Sequence, residues 1–140
     1  MNKKEIVVDA TLDNLAMVQT FIETELERVG CSLKLLLQIS LAVEEIYVNI
    51  VHYAYPEGAV GSAVVTCAID ENEERIQICF TDSGVPYNPL MKEDVDITLT
   101  AQERQVGGLG IFMVKKSMDG LSYIYKDGKN ILTIEKALSK

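Results

Sequence analysis

Cysteine, histidine and basic charge are scarce in this chain of 140 residues, and each shortage excludes something. The three cysteines, Cys31, Cys67 and Cys79, lack any metal-ligand spacing, and an odd number of them reads as reduced thiols. A Cys67–Cys79 bridge is excluded by strand alternation. Pairing Val65, Cys67 and Ile69 with Phe80, Ile78 and Ile76 puts those six on one face of a hairpin and sends Cys79 to the other. Both cysteines read as small apolar fillers. The lone histidine, His52, reads as a surface or packing residue. Lys and Arg number 13 against 21 Asp and Glu, a formal net charge of −8, which excludes the basic surface a nucleic-acid grip needs. It does not exclude a nucleotide, which a few amides and one metal ion can hold. No run approaches the ~18 apolar residues of a membrane span. The opening "MNKKEIVVDATLDNL" reaches an Asp too soon to be a signal peptide. The expectation is a cytoplasmic protein of one domain, residues 1–140, with neither membrane nor nucleic acid as a partner.

What is present suits a globular core: 48% hydrophobic and 24% charged residues. "EIVVDA" reads as a strand. Thr11 is placed to cap a helix running to about Val29, with Leu12, Leu15, Ile22, Leu26 and Val29 at helical spacing and Gly30 as the stop. Ser32 is placed to cap a second helix to about Tyr53, ended by Pro56 and Gly58. "SAVVTCAID" and "RIQICFTD" alternate as strands around the turn "ENEE". A helix is expected over Gly108–Met118. "LSYIYK" and "KNILTIEK" flank Asp127-Gly128, a two-residue hairpin signal. Strands cluster in hairpins and do not alternate with helices. The pattern predicts an α+β two-layer sandwich, one mixed, mostly antiparallel sheet with helices on one face. The stretch from about 88 to 107 has no period and is expected to be a functional lid.

The second helix is apolar nearly all round, with Leu36, Leu37, Val43, Ile46, Ile50 and Val51, yet it carries Glu45 and Asn49 one turn apart. A polar stripe on a covered helix faces either water or a polar ligand. "TDSGVPYNP" places Asp82 at a strand end, where a carboxylate can accept a hydrogen bond from an exocyclic amine, and Gly84 would let a base approach the backbone. Alone it is a turn signal. "GGLGIFMVKK" puts Gly108, Leu109 and Gly110 at a helix start, where free amides favour a phosphate. Each feature is weak alone.

In this order and spacing, "EEIYVNIVHYAYPEG", "DSGVPYNP" and "GGLGIFMVKKSMDGLSYIYKDGKNILTIEK" resemble the GHKL ATPase superfamily, and within it the stand-alone anti-sigma-factor serine kinases. The resemblance covers roughly residues 5 to 137. It implies a histidine-kinase-like ATPase fold with ATP and Mg²⁺ as cofactors. It makes Glu45 the general base, Asn49 the magnesium ligand and Asp82 the acceptor of the adenine amine. It sets Thr133 to support the base through water, and Gly108, Leu109 and Gly110 to wrap the phosphates. It further implies a homodimer that holds a sigma factor and phosphorylates an anti-anti-sigma antagonist of the STAS type.

Some positions depart from that pattern. Tyr53 stands four residues after Asn49, where many relatives have His. Pro86 stands where the wider superfamily often has a second glycine. Glu44, about 100° around the helix from Glu45, reads as structural. Lys92 and Arg104 read equally as phosphate contacts or as solvated lid charges. Two functions stay open: a serine/threonine kinase, which Glu45 favours, and an ATP-binding partner switch without phosphotransfer. The identity of the partners, the acceptor residue and the triggering signal are not legible.

Overall fold

Two hairpins and one edge strand build the sheet. In the computed structural model, which describes residues 2–91 and 108–138, the strands are β1 (Asn2–Asp9), β2 (Ser62–Asp70), β3 (Arg75–Asp82), β4 (Gly120–Lys126) and β5 (Lys129–Ala137). Their order is β1-β2-β3-β5-β4, and all four ladders are antiparallel, so among the described residues no parallel pair mixes into the sheet. The β4–β5 turn is the expected Asp127-Gly128. Both residues have positive φ, 54° and 77°, as a two-residue hairpin of matching twist requires. The β2–β3 register pairs Val65, Cys67 and Ile69 with Phe80, Ile78 and Ile76, and all six are buried. Cys79 falls on the other face and the three thiols are free. Burial pushes the Cys67 thiol up to about 12, consistent with an inert filler.

Among the described residues three helices cover the inner face: α1 (Leu15–Val29), α2 (Leu33–Tyr53) and α3 (Gly108–Ser117). Short 3₁₀ turns span Leu12–Asn14 and Pro89–Met91. Thr11 does precede the first of these turns, but its side chain makes no cap bond. The turn is held instead from below by Tyr47. That fully buried side chain donates its hydroxyl to the Thr11 carbonyl at 2.7 Å and accepts the Thr11 N–H at 3.2 Å. Gly30 ends α1 in the left-handed region, φ 74°, and the Ser32 hydroxyl accepts the Leu35 N–H at 3.2 Å, so both expected signals act.

By length and hydropathy α2 would suffice to cross a bilayer. Here it is the core helix, with Ile39, Val43, Ile46, Tyr47 and Ile50 packed into the hydrophobic cluster. Its cover is incomplete. Leu37, expected to be inside, is half exposed, and Leu33 and Leu41, one turn to either side of it, are more so. Glu44 accepts from Gln19 of α1 at 3.3 Å, the structural role expected for it.

Among the described residues no helix lies on the outer face of the sheet. The register aligns Val7, Val64, Thr81, Ile131 and Ile124 as one uncharged row across all five strands there.

Candidate functional site

The end of β3, the C-terminal half of α2 and the start of β5 meet at a narrow cleft. Its floor is Ile46, Ile50, Ala54, Phe80 and Leu132, and Tyr87, Pro89 and Tyr123 form its walls. Three buried polar side chains, Asn49, Asp82 and Asn130, open into it. Buried polar groups are costly unless paired, so their partners define what remains free.

Asn130 has every hydrogen-bonding site used. Its Nδ2 donates to Asp82 Oδ1 at 2.9 Å and to the Val85 carbonyl at 2.8 Å. Its Oδ1 accepts the Tyr87 N–H at 3.0 Å and the Tyr123 hydroxyl. Asp82 Oδ1 also accepts the Gly84 N–H at 2.9 Å. Among the described residues no donor reaches Asp82 Oδ2. That leaves one carboxylate oxygen, at the edge of an apolar slot, available to a planar ligand with an amine.

The loop after Asp82 is fixed at two points. The Tyr55 hydroxyl donates to the Ser62 carbonyl at 2.6 Å and accepts the Ser83 N–H at 2.9 Å. The Val85 N–H donates to the Ala54 carbonyl at 2.7 Å. Gly84 sits so close to that carbonyl that a methyl group would overlap it. Its glycine is therefore required by the helix end, a reason different from the expected approach of a base.

Asn49 Nδ2 donates to the Glu45 carbonyl at 2.7 Å. Only the amide nitrogen can serve a carbonyl, so Oδ1 must turn to the cleft, where the Tyr87 hydroxyl approaches at a long 3.5 Å. Tyr87 in turn packs its ring on Tyr53, centroids 4.9 Å apart, while His52 is exposed. Among the described residues no cluster of three His, Cys, Asp or Glu could cage a metal ion. A lone carboxamide oxygen suits magnesium, which keeps waters and takes substrate phosphates as ligands.

Glu45 lies one turn before Asn49, against α3. A methyl group on Gly110 would overlap its carboxyl group, so this glycine lets α3 seat beside the carboxylate. Gly108 and Leu109 complete the first turn of α3, as expected. Thus Glu45, Asn49, Asp82, Gly84 and the α3 start are brought together along one side of α2. Thr133 is not. It pairs with Cys79 on the outer face of the sheet, and the residue beside Asp82 is Asn130. The alternation after Asp127-Gly128 carries that signal: Asn130, Leu132 and Ile134 all point inward. Tyr55, Tyr87 and Tyr123 were missed for want of any spacing that marks them. Of the expected lid, only the turn at Pro89–Met91 and the residues just before it are described. Lys92 and Arg104 lie outside the described residues.

An α+β sandwich with an apolar slot, a terminal carboxylate and an amide-bearing helix start defines a nucleotide-binding ATPase fold. Residues 8–136 match the family described as histidine kinase-like ATPase domain, and the chain belongs to that family. It is 26% identical over 134 residues to a protein of Bacillus mycoides (strain KBAB4) named serine-protein kinase RsbW, covering 93% of this chain and 82% of that one. A protein of the same name from Bacillus thuringiensis (strain Al Hakam) is 25% identical over the same length. A crystal structure of the RsbU and RsbW domains of Rv1364c from Mycobacterium tuberculosis superposes with a TM-score of 0.70 at 18% identity. It covers all of this chain and 33% of that one, a likeness of fold.

Proposed function

We propose that this chain is an ATP-dependent serine/threonine kinase of the anti-sigma type, cytoplasmic, acting on a STAS-type antagonist protein and alternately holding a sigma factor. The observation that carries the reading is the placement of Glu45. Nucleotide binding alone has no need of a carboxylate one turn from Asn49 and beside the start of α3, whereas phosphotransfer to a hydroxyl needs a base there.

Adenine would enter the slot with its amine on Asp82 Oδ2, positioned by Asn130. The phosphates would run along α2 toward the first turn of α3. Magnesium, held by Asn49 Oδ1 with phosphate and water oxygens, would neutralise charge on the transferring group. Glu45 would take the proton of the acceptor hydroxyl as its oxygen attacks the γ-phosphorus and ADP leaves. The test is incubation with γ-labelled ATP and the STAS-type antagonist of the source organism. Label on a Ser or Thr of the antagonist is the expected result. ATP-dependent binding without label would favour the partner switch instead.

Asp82→Asn keeps the shape of the slot but replaces a charged acceptor by a mixed one. It should weaken ATP binding by about tenfold to a hundredfold, the loss of one charge-assisted hydrogen bond of about 1.5–3 kcal/mol. Calorimetry checks this, and unchanged affinity would remove adenine from Asp82.

The homodimer belongs to the same proposal, with the uncharged row Val7, Val64, Thr81, Ile131 and Ile124 as its support, on an outer face that also carries charges such as the Arg75–Glu135 pair. Five strands about 4.8 Å apart and roughly 26 Å long give a face of about 600 Å². Two copies face to face would bury about 1,200 Å², the lower edge of stable interfaces. Sedimentation equilibrium should give twice the mass of one chain, and a charge at Val7 or Ile124 should shift it toward the monomer.

A further inference from the structure

A second groove lies along α2, beyond Glu45 and in line with the cleft. On α2 it is lined by Leu41, Ala42 and Glu45, and on α3 by Gly110, Met113 and Val114. Gln38, Leu41, Ala42 and Glu45 follow the helical i, i+3, i+4, i+7 spacing and Gly110, Met113 and Val114 follow i, i+3, i+4, so two facing stripes enclose it. Ala42 and Val114 are buried and form its floor. Leu41 and Met113, 66% and 55% exposed, stand as its walls. Large apolar side chains held at this exposure on both sides of a groove mark a contact surface.

The lengths along α2 decide the occupant. At ~1.5 Å per residue, Ala54 to Glu45 is about 13 Å, the span left for a nucleotide from base to terminal phosphate. Glu45 to Gln38, the far end of the groove, is about 10 Å, or three residues of extended chain at ~3.3 Å each. The groove thus begins at the carboxylate, where the nucleotide would end, one helical turn along α2 from the Asn49 that lines the cleft. We infer that this groove seats the acceptor segment of the protein substrate in extended form, with its Ser or Thr at Glu45 and an apolar side chain two residues away between Leu41 and Met113.

The offset of two follows from the same arithmetic. In an extended segment, residues two apart point the same way and lie ~6.6 Å apart. Leu41 is one turn, ~6 Å, from Glu45. An acceptor hydroxyl directed at Glu45 therefore directs the side chain two residues on into the apolar pair. The intervening side chain points to solvent and is left unspecified. Selection thus rests on one apolar contact, as in other sites where a helix groove reads one anchor.

The inference rests on the kinase reading, and its test separates the two. The probe is the same STAS-type antagonist, titrated by calorimetry in Mg²⁺ and a non-hydrolysable ATP analogue, and assayed for phosphotransfer with ATP. Leu41→Gln and Met113→Gln keep volume and add no charge beside Glu45. Each should weaken antagonist binding and raise the KM for antagonist by about tenfold, with ATP affinity unchanged. An antagonist variant with Asp two residues from its acceptor should lose the same factor on the parental chain and little more on Leu41→Gln. Antagonist binding that neither groove variant alters would overturn the groove. Binding that both variants weaken, in a parental chain that transfers no phosphate, would keep the groove and overturn the kinase. A parental chain that binds no antagonist would overturn both.

Discussion

Asn130→Ala is expected to lower stability by about 2–4 kcal/mol and to remove most ATP affinity, whereas Thr133→Ala should do neither. The carboxamide of Asn130 is the hub of the Asp82 end of the cleft. Its removal strands the Val85 carbonyl, the Tyr87 N–H and the Tyr123 hydroxyl, and frees the side of Asp82 that it holds. Each buried group left unpaired costs about 1–3 kcal/mol, less whatever water recovers. In a domain of this size the loss should lower Tm by roughly 6–12 °C. Asn130→Asp should be worse for the nucleotide, since it sets a second carboxylate against Asp82 in a buried site. Thr133 faces away from the cleft, so its loss should leave ATP binding within error. Thermal melts and calorimetry on the three variants check the whole set. A Thr133→Ala variant that loses ATP, beside an Asn130→Ala variant that keeps it, would reverse the assignment.

That contrast also explains which parts of the fold were legible. Register was readable wherever a turn fixed it. Asp127-Gly128 set the β4–β5 hairpin, and the alternation of Val65, Cys67 and Ile69 set the β2–β3 pair, each to the residue. Periodicity found α1 and α2, and Gly30 and Ser32 marked their junction. Glu45 and Asn49 stood out because a carboxylate and a carboxamide one turn apart are rare on so apolar a helix. Thr133 was carried over from a resemblance, and the resemblance does not contain the pairing. Alternation from the hairpin turn puts Asn130, Leu132 and Ile134 on one face and Thr133 on the other, but the pairing of Asn130 with Asp82 belongs to the β3–β5 ladder, which no turn fixes. Other features needed coordinates. The requirement for glycine at 84 comes from the carbonyl of Ala54, thirty residues earlier in the chain, and no local pattern encodes that approach. Tyr55 acts through a hydroxyl that meets distant backbone, and Tyr87 through a hydroxyl and ring that meet the side chains of Asn49 and Tyr53, which composition cannot show. Leu37 was expected inside as an apolar residue of a core helix, and it stands half exposed on a face of α2 that the described neighbours leave uncovered.

Glu45→Gln is expected to cut phosphotransfer by about a hundredfold to ten-thousandfold while leaving Mg·ATP affinity within about twofold. The glutamine keeps the shape that rests against Gly110, so α2 and α3 should stay seated. What it loses is the capacity to accept a proton. A positioned general base contributes roughly a hundredfold to ten-thousandfold, about 2.7–5.4 kcal/mol of the barrier, so transfer should fall by that factor. Asn49→Ala should behave differently. It removes the oxygen turned to the cleft and should lose the metal-dependent part of ATP binding together with the chemistry. The two variants thus divide binding from transfer at residues one helical turn apart. The pH dependence sharpens the assignment. A parental enzyme that uses a carboxylate base must lose rate as acid protonates it, and the residual rate of Glu45→Gln should lack that fall. Transfer by Glu45→Gln at the parental rate would show that Glu45 is not the base. Loss of ATP affinity in step with transfer would make Glu45 a positioning residue for the phosphates, held beside them by the close approach of α3.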